Sequence, residues 1–253
     1  MANNTLQDTI NFIVPFARYQ AANIGTSNMP IVGIASIVRN TILAAPFTWR
    51  FNRNNVNLIG NDQPIPLGIR KGVQDYTQSI SDFGFLEKAT ANGPDPNNPT
   101  STTSWELKDM KNNEALASST TQARPQSISV FNDDGANNFT FRLSAVPEQP
   151  YVINMVYQKA PVKFVNLTDG WGPIPDSFSD VYNSLCLGYY LDSCQDSRAP
   201  QYIARGIAGL LARAQGLSAS DKAIFAASYM NFDSQMIINQ LKTQQGQQAQ
   251  AAR

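Results

Sequence analysis

The hydrophobic period of this chain changes twice, and that double change constrains its fold more than any other feature of the sequence. Near the amino terminus Leu6, Ile10, Ile13, Val14 and Ala17 recur at helical spacing behind Thr5, a residue suited to capping. They predict a helix over about 6–18, ended or kinked near Pro15. After a loop containing Gly25, Thr26, Ser27 and Asn28, Pro30 opens a second helix with a broad stripe of Ile31, Ile34, Ala35, Ile37, Val38 and Ile42, stopping before Pro46. From Phe47 the spacing shortens to that of strands, and after Pro175 it lengthens again.

In the middle, Trp49, Phe51, Val56 and Leu58 suggest short strands, broken by the turn-rich runs Gly60–Pro64 and Pro66–Gly68. Tyr76–Ile80 and Phe83–Ala89 read as two more strands about a Ser81-Asp82 corner, followed later by Trp105–Met110 and Ser127–Phe131. Residues 91–103 are almost entirely Asn, Pro, Gly, Ser and Thr, a composition short of the apolar surface that would offset ordering entropy, so we expect a mobile loop tip there. Asn132-Asp133-Asp134-Gly135 is a turn signal. Phe139, Phe141 and Leu143 alternate with polar residues, and Tyr151–Tyr157 is a second β-rich run beyond Pro147 and Pro150, which together predict a β-hairpin.

The chain then leaves the sheet through Lys159, Pro161 and Thr168-Asp169-Gly170-Trp171, and Pro173-Ile174-Pro175-Asp176 opens a helical pattern of Phe178, Val181, Tyr182, Leu185, Tyr189 and Leu191. Ala199-Pro200 starts another helix closed by Gly216, and Ser218 or Ser220 caps a third containing Ile224, Phe225 and Tyr229. Residues 243–253 are Gln- and Ala-rich with few apolar anchors, and read as an unstructured tail or a docking segment. Neither terminal set of helices hides its stripe alone. The expected fold class is therefore α+β: a helical bundle from residues 1–48 and 172–235, an inserted antiparallel β-sheet subdomain over 49–171, and a tail over 236–253.

The order of several short motifs resembles the tailed-phage head-to-tail adaptor family, also called connector or neck-ring proteins. The motifs are a turn at Val146-Pro147-Glu148, a returning strand ending Val156-Tyr157, Lys159-x-Pro161, Thr168-Asp169 near an aromatic, and Ile174-Pro175-Asp176 opening a helix. Weaker likeness runs through Trp49-Arg50-Phe51-Asn52 and down the helices to about Phe232. The resemblance implies a non-enzymatic virion protein, assembled in a host cytoplasm into a ring, dodecameric in that family, under the portal. Its partners would be the portal, the next tail or tail-tube protein, and double-stranded DNA passing without sequence preference through the lumen.

Charge and residue types bound the chemistry. Nineteen basic residues balance nineteen acidic ones, so no global field draws the protein to nucleic acid or a membrane surface. No apolar run reaches eighteen residues and no leader pattern opens the chain, so we expect neither a membrane span nor a signal peptide. The absence of histidine removes the usual general base and metal ligand, and neither a P-loop nor a GxSxG elbow is present. No catalytic, cofactor or metal site is expected. Cys186 and Cys194, eight residues apart in one helical pattern, lie about 12 Å apart along its axis, too far for a disulfide. Asp133 with Asp134 fits a turn, and Asp75 with Asp82 fits strand-edge solvation. Trp49, Trp105 and Trp171 would stack bases or sugars, or pack the core.

Two groups stand out as sites. Trp171, Pro173, Ile174 and Pro175 form a rigid apolar crossing that either packs on its own bundle or touches a neighbouring subunit, fixing the angle between sheet and bundle. On the second reading Ile174→Asp leaves a soluble monomer. Arg18, Arg39, Arg50, Arg53, Arg70 and Lys71 would line a lumen, pair between subunits or form a solvated surface. Rival functions are another tail-ring or tail-tube component, an assembly chaperone, or a module holding a glycan or receptor on sheet aromatics.

Overall fold

The computed structural model describes residues 4–16, 30–58, 72–95, 98–110, 120–132 and 137–230. The loop at 25–28, the turns at 60–68 and 133–135, Arg18, Arg70, Lys71 and the Gln-rich tail lie outside these residues. Chain contacts divide the molecule into two compact units, one of Met1–Phe51 with Pro161–Arg253 and one of Asn52–Ala160.

In the first unit, helix α1 spans Leu6–Ile13 and runs on into a 3-10 turn at Val14–Phe16. Its start is fixed by a capping box in which the Thr5 hydroxyl accepts from the Asp8 amide and the Asp8 carboxylate accepts from the Thr5 amide. The next free donors are satisfied from far along the chain, by Leu6 N donating to Asp169 O and Gln7 N to Leu167 O. Helix α2 spans Pro30–Leu43. The later helices are α3 (Ser179–Ser193), α4 (Ala199–Arg213) and α5 (Ala219–Met230). A shared core joins Leu6, Ile10 and Ile13 of α1 with Ile31, Val38 and Ile42 of α2 and Tyr182, Leu185 and Leu210 of α3 and α4. Helices α3 and α4 cross closely at two glycines. A Cβ on Gly188 would lie 2.6 Å from an Ile203 side-chain carbon and 2.8 Å from its amide nitrogen, and one on Gly206 would lie 2.5 Å from Leu185 Cγ.

Trp49 and Phe51 do not start a sheet. Residues Arg50–Asn52 form a 3-10 turn, and Phe47, Trp49 and Phe51 stack in series, with Phe178 edge-on to the last two. Trp49 Nε1 donates to Ile42 O, so this aromatic column closes the end of α2. The expected boundaries at 48/49 and 171/172 accordingly fall at 51/52 and 160/161.

The second unit is a seven-stranded sheet in the order β1-β7-β3-β4-β5-β6-β2. Its strands are β1 (Arg53–Asn57), β2 (Asp75–Ser79), β3 (Phe83–Asp95), β4 (Asn98–Asp109), β5 (Ser127–Asn132), β6 (Asn138–Leu143) and β7 (Val152–Lys159). Pairing of β4 with β5 is parallel, at Lys108–Ser127 and Asp109–Ile128. The sheet curls around a core of its own that includes Leu58, Tyr76, Phe141, Ile153 and Met155. So far does it curl that the Gln78 side chain of edge strand β2 donates to Asn57 O of the other edge strand.

The expected helical bundle bearing an inserted antiparallel sheet is therefore corrected. The chain is a mixed α/β protein whose middle is mostly strand, with five helices among the described residues and a mixed, curled sheet. Within the expected loop tip at 91–103, residues 91–95 belong to β3 and 98–103 to β4, strands of 13 and 12 residues paired from Ala89–Leu107 to Pro94–Thr102, and residues 96–97 lie outside the described residues. Polar composition misled here because the ladder itself satisfies the main chain, while Ala91 and Gly93 still bury their faces and the Tyr151 ring lies directly against Gly93. The expected hairpin is also absent, since β6 pairs with β5 and β2 while β7 pairs with β3 and β1. Past β6 the chain keeps to the β5 side: Ser144 N donates to Ser127 O, Val146 N to Thr121 O, and Ala123 N to Val146 O. That path carries it away before Pro147 and Pro150, so β7 returns elsewhere in the sheet.

Candidate interaction surface

Loop 165–171 is built around one carboxylate. Asp169 accepts from the amides of Val165 and Asn166 at 2.6 and 2.8 Å, and these backbone bonds hold its pKa below the usual carboxylate value. The loop is then tied to α1 by the Thr5–Gly170 bridge and by Trp171 N donating to Asn4 O. Trp171 Nε1 donates to Thr5 O and Thr9 Oγ1, and its ring stacks on Tyr182 with centroids 4.4 Å apart. Trp171 and Ile174 are fully buried in this unit's core, with Pro173 and Pro175 half-buried beside them. Of the two readings of this crossing, only packing within its own unit leaves these side chains where they are; the first and third of the four residues have no surface to offer a neighbour.

The described basic residues have different surroundings. Arg50 is exposed on the 3-10 turn, and Arg53 lies on β1 paired with Glu87, which also accepts from Gln158 at 2.6 Å. Arg39 stands apart. It projects from α2, is 4% exposed, and its guanidinium lies 3.7 Å from the centre of the Phe164 ring. Its Nε is buried without a hydrogen-bond partner, and no carboxylate lies within ion-pair distance among the described residues. Burial pulls its pKa down, while Tyr182 and the more distant Asp169 pull it partly back.

Phe164 belongs to a bare stretch of chain. The amides of Val162, Lys163 and Phe164 donate to nothing among the described residues, and the segment has no regular structure. Val162 and Val165, on either side, are 77% and 83% exposed, the highest of any large apolar side chains among the described residues. The sequence names Arg39 only as one of several scattered basic residues, and nothing in the pattern distinguishes it from the others or marks the strip 162–165.

The tryptophans pack. Trp49 is in the aromatic column, and Trp105 donates to Pro125 O, lies under the Arg124 guanidinium and meets Tyr151 at 87°. Asp75 forms a two-pronged pair with Arg142 across β2 and β6, and Asp82 accepts from the Tyr157 hydroxyl at 2.6 Å. Burial, then the Asp82 bond, push the Tyr157 pKa up to about 12. Cys186 is buried and Cys194 exposed, both unbonded to each other. A recess of about 480 Å³ opens at the α3–α4 turn, lined by Phe16, Tyr190, Leu191, Cys194 and Asp196 among others. Among the described residues no group of His, Cys, Asp or Glu is arranged to hold a metal, and no helix is long and apolar enough to cross a membrane.

Compared with known proteins, the chain matches no family model and no curated sequence.

Proposed function

We propose that this chain is a virion structural protein, a head-to-tail adaptor whose copies close into a ring between portal and tail, with a lumen for duplex DNA and no enzymatic role. The reading draws first on the motif order of Lys159-x-Pro161, Thr168-Asp169 and Ile174-Pro175-Asp176. It draws less on Val146-Pro147-Glu148, since the strands flanking that turn do not pair.

The observation that carries it is the exposure of Val162 and Val165 directly after Lys159-x-Pro161. Exposed apolar side chains close together in one strip favour a covering partner. Phe12, Ile37 and Ile224 are also exposed large apolar side chains of the same unit. Interfaces that repeat head to tail close into rings when the rotation between copies divides a full turn, and otherwise propagate as open filaments. The glycan-binding alternative lacks such support: Phe12, at 37% exposure, is the most exposed aromatic among the residues whose burial is described, and it lies on α1 rather than on the sheet.

Light scattering after size exclusion tests the proposal on the full chain, alone and mixed with its portal. A discrete ring in either sample is expected. A monomer at every concentration, with and without portal, rejects the reading.

A further inference from the structure

We infer that Arg39 and the bare strip Pro161–Val165 receive the carboxyl-terminal end of α3 from a second copy of this chain, with Asp192 of that copy supplying the missing counter-ion. The inference rests on the ring reading and gives its contact a location.

Arg39 is the starting point. Its Nε is shut off from water with no hydrogen-bond partner, and the stacking on Phe164 replaces only part of that hydration, while the terminal nitrogens are not so enclosed and can receive a carboxylate. Asp169 is already committed to two backbone amides and lies beyond ion-pair distance. The site is thus half of a charge pair. Next to it stand two valines facing solvent and three main-chain amides with no acceptor among the described residues, a surface suited to an incoming chain that brings apolar contact, acceptors and one carboxylate.

Its complement lies on the same molecule. Among the described residues Asp192 is the one acidic side chain with no hydrogen-bond or ion-pair partner. It is exposed in the last turn of α3, where the helix dipole disfavours a negative charge, so it too is stabilised by a cation from outside. Leu191 and Cys194, on either side of it in sequence, line the recess together with Phe16 and Tyr190. The recess is mixed rather than apolar: Phe16 and Leu191 offer the apolar surface that the two valines would meet, and Gln195, Asp196 and Ser197 line it with polar groups.

Knob and hole are well separated within one copy. Arg39 faces Tyr182 near the start of α3, and Asp192 comes ten residues later, about 15 Å along the axis. They do not meet within a subunit, and a contact between such different surfaces on two copies is head to tail, the kind that propagates around a ring.

The test uses the full chain in three forms: wild type, Arg39→Met and Asp192→Asn. Sedimentation velocity over a range of concentrations should show each variant self-associating at least about tenfold more weakly than wild type. A one-to-one mixture of the two variants should form a dimer and nothing larger, because only one intact contact is available per pair. Thermal unfolding of the monomer should rise by about 2–4 °C for Arg39→Met, since an unpaired buried charge is removed. Should Arg39→Met prove insoluble, Val162→Ser with Val165→Ser takes its place in the mixing experiment. Wild-type-like assembly of either variant overturns the inference, as does a mixture that stays monomeric. A wild type that never associates, with or without portal, instead removes the ring reading beneath it.

Discussion

Ile174 shows how a single side chain separates two readings of one motif. It is fully buried with Trp171 in the core of the first unit, so a carboxylate there would be desolvated with no partner. Ile174→Asp should therefore give misfolded, insoluble protein rather than the soluble monomer that a surface contact would leave, and Ile174→Ala should cost about 2–5 kcal/mol in urea unfolding. Tyr157 offers a pH-dependent counterpart. Its folded phenol titrates at about 12 because of burial and the Asp82 bond, whereas an unfolded phenol titrates near 10. The neutral form is the one the fold favours, so its contribution, roughly 2–3 kcal/mol, is whole below about pH 10 and is lost as pH rises to about 12. Tyr157→Phe should flatten that stretch of the stability–pH curve relative to wild type. At this scale the sequence was partly legible. Thr5 as a cap and the tryptophans as packing residues follow from residue type and local spacing. Arg39 does not, because its isolation depends on Phe164 and Asp169, residues 125 and 130 positions away.

Helices were readable where strands were misjudged, and the reason is range. The i, i+3, i+4 stripes that define α1, α2 and α4 lie within one or two turns, whereas each strand's partner is chosen across tens of residues. Phe139–Leu143 and Tyr151–Tyr157 each read correctly as extended, yet neighbouring in sequence did not make them neighbours in the sheet. Residues 91–103 make the complementary point: Asn, Ser and Thr in register across β3 and β4 form a ladder, with Ser104 Oγ donating to Asn92 Oδ1. Hydrogen exchange should find the amides of 89–92 and 104–107 protected, where a mobile tip would exchange within seconds. The α3–α4 crossing gives a second measurement. At Gly188 the obstacle to a Cβ is the backbone of Ile203 as well as its side chain, so the helices must separate to admit it. Gly188→Ala should lower stability by about 1–3 kcal/mol despite alanine's better helix propensity, read by chemical unfolding.

At the level of the molecule, the sheet unit is continuous from Asn52 to Ala160 and holds its own core, while the helical unit is assembled from both ends of the chain. Entry and exit of the sheet unit are side by side: Arg53 pairs with Gln158, and Asn52 Nδ2 donates to Lys159 O at 3.0 Å. Residues 52–160 expressed alone should therefore fold cooperatively, seen as dispersed amide resonances and a single unfolding transition. The same continuity sets an order of events during translation. Helices α1 and α2 are made before the sheet unit, but the later segments that bury their stripes begin only at Pro161, with 117 residues between it and the end of α2. At elongation speeds of about 5–20 residues per second, that is a wait of roughly 6–23 s. Only at its end is the sheet unit complete and able to fold, and until the later helices follow, Ile31, Val38 and Ile42 remain uncovered clients for whatever holds nascent chains, so the amino-terminal helices reach their native state after the sheet unit can.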